Sequence, residues 1–293
     1  SGGAGTDTLK GNDGNDVYYV DVSTDVVIET NADTVSGGVD FVVSTVTYQL
    51  GANVENLLLD GSAPITGIGS AVNNYIEGNN AANFISGGAG ADTMKGNDGN
   101  DVYYVDNIGD VVIETNAVQN TGGRDTVSSS IAYALGANVE DLLLSGNAAI
   151  GGLGNVLSNY MTGNTAANAL SGQDGADTLI GGTGTDTLTG GLGADTFDFN
   201  ALLDSLVGAS RDVITDFSSA QGDKVDLAGI DANSILASDQ AFSFIGAAAF
   251  GSVAGQLRFA GSILAGDTDG NGVADFELQL TGVATLSGSD LIS

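Results

Sequence analysis

The sequence predicts an all-β chain wound into a right-handed parallel β-roll, a β-helix solenoid, with a C-terminal β-rich cap. Three observations carry that expectation. Residues 2–86 align without gaps to residues 87–171, an internal repeat at an offset of 85. Inside each block a finer period of nine places Gly at positions one and four, Asp at six and a large apolar residue at eight. Finally, 46 Gly against a single Pro, with 37 acidic and 6 basic residues, describe neither an ordinary globule nor collagen, which needs strict triplets.

The two long blocks open with matching runs, GGAGTDTLKGNDGNDVYYVD from Gly2 and GGAGADTMKGNDGNDVYYVD from Gly87. A third block opens at Gly172, where GQDGADTLI, GGTGTDTLT and GGLGADTFD follow one another directly. Position eight is filled by Leu9 and Tyr18, by Ile76, Ile85, Met94 and Tyr103, and by Met161, Leu170, Leu179, Leu188 and Phe197. That spacing cannot keep one face of a helix apolar, and each glycine would cost a helix about 1 kcal/mol. A turn followed by a very short strand fits instead. Side chains alternate across a strand, so position eight points inward while seven and nine point out. Two such units complete one coil of a flattened solenoid, with strands stacked in parallel about 4.8 Å apart and right-handed crossovers.

Residues 20–60 and 105–145 break the nine-residue rule but carry β-rich runs such as DVVIE, FVVSTVTY and VENLLL. They read as wider coils of the same solenoid; a separate β-domain inserted twice is the alternative. From about Phe199 glycine thins and runs such as DVITDF, KVDLAGI, QLRFA and FELQL take over. A solenoid needs such a cap, because its last coil otherwise exposes an apolar cross-section and unpaired strand edges. The expected organisation is therefore 1–86 and 87–171 as two solenoid repeats, 172–198 as a nonapeptide roll and 199–293 as the cap.

The net charge of −31 repels nucleic acid and anionic membrane, and it opposes compaction unless cations settle among the carboxylates. Only 6 of the 37 acids are Glu, a bias toward the residue that suits turns and hard-cation sites. The absence of Cys removes disulfides and thiolate chemistry, and the absence of His removes Ser-His-Asp and Cys-His triads and His-containing zinc sites. No stretch has the length of a membrane span, and the N-terminus lacks a signal-peptide pattern. Starting inside a repeat without Met, the chain reads as a piece of a longer protein with its activity elsewhere.

Glycine permits positive φ and close backbone approach, so main-chain carbonyls can turn toward a cation to which Asp adds a charged oxygen. The motif GGxGxDxUx, with U a large apolar residue, is a calcium-binding pattern on this reasoning. Its position-one glycines are Gly87, Gly96, Gly172, Gly181 and Gly190; its position-six aspartates are Asp92, Asp101, Asp177, Asp186 and Asp195, with Asp98 and Asp174 at position three. Successive turns fall on opposite edges, so partners lie eighteen residues apart. Asp177 pairs with Asp195, whereas Asp92, Asp101, Asp177 and Asp186 also face Asn74, Asn83, Asn159 and Asn168. A neutral amide binds calcium less strongly, so an asparagine ladder is expected in those turns. Asp7 and Asp16 are expected to form half a site only.

A second candidate is DTDGNGVADFE, where Asp267, Asp269, Asn271, Gly272 and Asp275 fall where an EF-hand loop places ligands and its glycine. Position twelve is Leu278 instead of a bidentate Glu, and the flanks read as strands; the plainer reading is a polar hairpin turn. Tyr18, Tyr19, Tyr103 and Tyr104 read as core and edge packing, not a sugar platform. Glu29, Glu55, Glu114 and Glu140 recur at matching positions, which argues against a unique acid pair for glycoside cleavage. Lys10 and Lys95 point outward and reduce repulsion.

The nonapeptides resemble the repeats-in-toxin (hemolysin-type calcium-binding) family over roughly residues 1–198. RDVITDF, GDKVDLAGID, DFELQLTG and the closing SDLIS look like a serralysin-type C-terminal domain. The resemblance implies several Ca2+ ions, a secreted or cell-surface location and a C-terminal signal for the type I secretion machinery, which Asp290, Leu291 and Ile292 fit and the polar Ser293 departs from. The family's protease site does not carry over, since no His is present. Coupled export and calcium-triggered folding is the leading function, with no catalysis in these residues. Self-assembly in a surface layer or adhesin, or binding of cell-surface polysaccharide, are the alternatives; nucleic acid and membrane insertion are not expected.

Overall fold

The computed structural model describes residues 1–32, 36–116 and 122–293. Two compact units are present, Ser1–Ile131 with Gly136–Asp141, and Ala132–Leu135 with Leu142–Ser293. Each is a parallel β-roll built from strands of two to six residues.

In the first unit one sheet runs through Val17–Val20, Phe41–Ser44, Asn56–Leu59, Tyr75–Glu77, Thr93–Lys95 and Val111–Ile113, all parallel neighbours in that order. The opposite sheet runs through Tyr48–Gln49, Thr66–Ile68, Phe84–Ser86, Val102–Val105 and Thr126–Ser129. Thr93 faces both Tyr75 and Val111, which sets the ordinary coil at eighteen residues. Residues 20–60 join the same ladder as wider coils, Val17 facing Phe41 and Phe41 facing Asn56. The reading of a separate inserted β-domain is thereby set aside for this segment.

The period of nine now has a physical account. Ile76, Ile85, Met94 and Tyr103 are fully buried between the sheets, each contributing roughly 1.5–3 kcal/mol through loss of apolar surface to water. Leu9 alone among the position-eight residues is only half-buried. Gly67 occupies the same slot in its strand because a Cβ there would press on Ile76, Leu57 and Leu59 at 3.2–3.3 Å.

The second unit repeats the plan. One sheet carries Tyr160–Thr162, Thr178–Ile180, Thr196–Asp198, Lys224–Asp226 and Leu291–Ile292. The other carries Tyr133–Ala134, Gly151–Leu153, Ala169–Asp174, Thr187–Leu192 and Asp212–Ile214, then Phe276–Leu280, Ile263–Asp267, Gln256–Ala260 and Ser243–Phe244. Parallel stacking therefore does not stop at residue 198. Asp212–Ile214 and Lys224–Asp226 continue it without nonapeptide glycines, and only from Gln256 onward do antiparallel pairs appear. Phe242 meets Phe276 edge-on at 5.8 Å beneath those antiparallel strands.

Candidate metal sites in the turns

Each position-six aspartate stands immediately before a strand, so the parallel ladder aligns it with its equivalents one coil away. Asp92, Asp101, Asp177, Asp186 and Asp195 are at most 1 % exposed. One oxygen of each carboxylate accepts a backbone N–H from the preceding coil: Asn74 to Asp92 (2.7 Å), Asn83 to Asp101 (2.6 Å), Asn159 to Asp177 (2.7 Å), Asn168 to Asp186 (2.7 Å) and Asp177 to Asp195 (2.9 Å). The other oxygen, Oδ2, is buried in all five and has no hydrogen-bond partner among the described residues. An ionised oxygen so placed is costly unless a cation meets it. Burial accordingly pushes the carboxyl of Asp101 up to about 7, that of Asp177 to about 7 and that of Asp186 to about 6.

The glycines make the space into which these oxygens point. A Cβ on Gly87, Gly96, Gly172, Gly181 or Gly190 would collide with the carboxylate of the aspartate five residues on in the same turn. At Gly172 the same space is also bounded by the carbonyl oxygen of Gly190 from the next coil, 2.8 Å from where the Cβ would stand. Oxygens of turns one coil apart thus converge on one cradle, the all-oxygen donor set that a hard divalent cation takes. The residues present fit calcium.

Asparagine turns close differently. The side-chain oxygens of Asn74, Asn83 and Asn168 accept the N–H groups of Ser70 (2.6 Å), Asn79 (2.9 Å) and Asn164 (2.7 Å). Their amide nitrogens donate to the carbonyls of Val54, Ile65 and Ile150 in the preceding coil. Asn159 accepts from Asn155 at 2.8 Å in the same way. The amide's donor fills the role left empty at the aspartates, through bonds to main-chain groups and not from amide to amide along a ladder.

The remaining candidates are distributed unevenly. Asp7 and Asp16 donate their own N–H groups to Asp25 and Asp40 (2.9 Å each), and their Oδ2 atoms are buried without a donor. Asp98 binds the amides of Asn116 (2.8 Å) and Asn80 (3.4 Å), while Asp174 is exposed and acts on Asp177 through its charge. In the Asp267 loop the carboxylates of Asp267, Asp269 and Asp275 approach within 4.8 Å. Both oxygens of Asp267 already accept N–H groups, from Gly270 (2.7 Å) and Gly272 (2.9 Å), and Asp275 accepts the Thr268 N–H (2.7 Å). Asn271 donates to Asp269, and the buried Leu278 lies in the flanking strand. This is a backbone-braced antiparallel hairpin loop whose three aspartates show no buried oxygen without a partner among the described residues.

Sequence reasoning missed the aspartates that lengthen the ladder. Asp110 accepts the Asp92 N–H (3.0 Å), Asp125 that of Asp101 (2.8 Å), Asp212 that of Asp186 (2.7 Å) and Asp223 that of Asp195 (3.1 Å). None lies in a GGxGxD turn. The available signal was an Asp at the entry to a β-run, as in GDVVI, RDTV, RDVI and GDKV. Tyr18 and Tyr103 lie in the core as expected, with their hydroxyls bonded to Glu29 and Glu114. Lys95 does more than dilute charge, since it pairs with Glu77 at 2.7 Å.

Stacked glycine-rich turns with buried, donor-less carboxylate oxygens define a calcium-binding parallel β-roll. The chain carries RTX repeats: the RTX calcium-binding nonapeptide repeat matches residues 1–27, 68–103 and 162–199, with four copies. Such repeats bind Ca2+, are themselves non-catalytic and are typical of the β-rolls of secreted proteins. No curated protein sequence matches the chain. Among solved structures, it is similar to the AlgE6R3 subunit of a mannuronan C5-epimerase from Azotobacter vinelandii, 26 % identical over 55 % of this chain and 82 % of that one, with a TM-score of 0.35. It is also similar to the extracellular lipase LipA from Serratia marcescens, 15 % identical over 90 % of this chain and 46 % of that one, with a TM-score of 0.26. Among the described residues no helix is long and apolar enough to cross a membrane.

Proposed function

We propose that this chain is a non-catalytic module of a type I-secreted bacterial protein, one that couples export to calcium-triggered folding and then serves as a rigid extracellular element. The observation that carries the reading is the row of buried Oδ2 atoms at Asp92, Asp101, Asp177, Asp186 and Asp195, none with a donor. With a net charge of −31 and these oxygens uncompensated, the ion-free chain resists collapse. Calcium sites of the weak extracellular class add little stability where the ion is scarce and much where it is abundant. The chain would then cross the secretion machinery unfolded and fold outside, because binding free energy is folding free energy when sites do not preexist. Within this reading 1–86 and 87–171 are the repeated spacer, 172–198 the densest calcium roll and 199–293 the cap. Asp290, Leu291 and Ile292 are the export signal.

Circular dichroism and small-angle scattering during a calcium titration test the reading. A chelated chain that is expanded and poor in β-structure, and that compacts on millimolar calcium, is the expected result. Full β-structure in chelator, unchanged by calcium, overturns it.

A further inference from the structure

The wide coils contain a cluster that the nonapeptide pattern does not describe. Glu114 stands one ordinary coil beyond Gly96, as the register of Thr93 with Val111 shows, so a glutamate occupies the place of a position-one glycine. Its coil has no GGxGxD turn and returns to the sheet only at Asp125, which faces Asp101 across 24 residues. One oxygen from each of Asp101, Glu114 and Asp125 lies within 4.8 Å of the others, and all three residues are buried.

We propose that Asp101, Glu114 and Asp125 form a divalent-cation site of the wide coil, suited to calcium by its all-oxygen donors, and that Asp16, Glu29 and Asp40 form its counterpart one repeat earlier. The proposal rests on the calcium reading above but adds to the nonapeptide aspartates Asp101 and Asp16 the ligands Glu114, Asp125, Glu29 and Asp40, which lie outside the nonapeptide turns.

Each carboxylate is held at one oxygen, and Asp101 and Glu114 keep a second one buried and without a donor among the described residues. Asp101 accepts the Asn83 N–H (2.6 Å) and Asp125 accepts the Asp101 N–H (2.8 Å). Glu114 is held by the Tyr103 hydroxyl and the Gly96 N–H. Asp101 Oδ2 and Glu114 Oε2 are then buried without a hydrogen-bond donor among the described residues. Glu140, which accepts the Asp125 N–H (2.8 Å), adds further negative charge, and the nearest ammonium, Lys95, is bound to Glu77. The same construction recurs in the first repeat: Tyr18 bonds to Glu29, the Asp16 N–H bonds to Asp40, and Asp16 Oδ2 and Glu29 Oε2 are buried without donors. A glutamate side chain thus supplies the oxygen that a stacked glycine turn would offer through its carbonyl.

The test counts bound ions on the full chain in saturating calcium, by equilibrium dialysis, and follows terbium emission excited through tyrosine, since the chain has no Trp. Glu114→Gln should bind one ion fewer than the parent, and Glu29→Gln with Glu114→Gln two fewer. Tyrosine-sensitised terbium emission should fall in step, because Tyr103 and Tyr18 adjoin the two clusters. In chelator Glu114→Gln should be no more expanded than the parent by small-angle scattering, because one repelling charge has gone. An unchanged ion count and unchanged emission in Glu114→Gln overturn the proposal while leaving calcium binding by the nonapeptides intact. If that variant fails to fold, Asp125→Asn carries the same count. A parent chain that binds no calcium overturns both readings.

Discussion

The backbone N–H of Asp177 donates to Oδ1 of Asp195, one coil further along, at 2.9 Å, while Oδ2 of the same carboxylate is buried and has no donor. One side chain therefore does two things. Its first oxygen sets the vertical register of the roll, and its second waits for a cation.

Separating those tasks is possible at Asp195. An Asn side chain keeps an oxygen for the Asp177 N–H but removes the charge. Asp195→Asn is expected to raise the calcium concentration at the folding midpoint by at least about tenfold, the cost typical of losing even a partner outside the ligand set. The ion-free form should be no less stable than the parent. Calcium titrations read the first effect, and small-angle scattering in chelator, where the variant should be no more expanded than the parent, reads the second.

Acidity should act in opposite directions with and without calcium. The folded-state values of Asp186 (about 6), Asp101, Asp177 and Asp212 (about 7) and Asp125 (about 8) are all raised, burial being the first cause. Raised values mean that the folded chain holds more protons than the unfolded one between about pH 4 and pH 8. Ion-free stability is therefore greatest near pH 4 and is lost as pH rises through 6 to 8. In excess calcium protons compete with the ion for the same oxygens, so stability should rise across that window. Circular dichroism against pH in chelator, and urea denaturation in excess calcium, check the sign.

Gly172 shows what the cradle requires. An added methyl group meets Asp177 Oδ2 and the Gly190 carbonyl. Gly172→Ala should cost about 1–3 kcal/mol in saturating calcium, the usual penalty of overpacking, and weaken calcium binding as well. Chemical denaturation at fixed calcium measures it.

In the second unit the core residue Met161 is fully buried and faces Leu179 across the ladder, with Gly152 leaving room for its terminal methyl. Met161→Ala should destabilise the calcium-loaded roll by about 2–5 kcal/mol without changing the number of ions bound. Ion counts and urea midpoints together separate this packing loss from a site loss.

Much of this architecture was legible because a parallel coil repeats its burial with its sequence. The apolar residue at position eight is inward at Ile76, Met94, Leu179 and Phe197 alike, and the Asp at six precedes each strand. What escaped was whatever the ladder achieves without glycine. Asp212 and Asp223 keep the stacking going past residue 198 through one hydrogen bond each to the coil below, and their loops show no nine-residue period. Glu114 escaped for a related reason. Its recurrence with Glu29 argued against a unique acid pair, yet recurrence is what a repeated ion site produces. Its partner Asp125 lies 24 residues beyond Asp101, a step that a search at eighteen passes over.

The amide turns at Asn74, Asn83 and Asn168 complete their own bonding, whereas the aspartate turns from Asp177 to Asp195 leave it unfinished. Loosening in an ion-poor medium is thus graded along the chain. Turns sealed by neutral amides keep their slow hydrogen exchange, while those around Gly181 and Gly190 become the first to admit solvent and a protease.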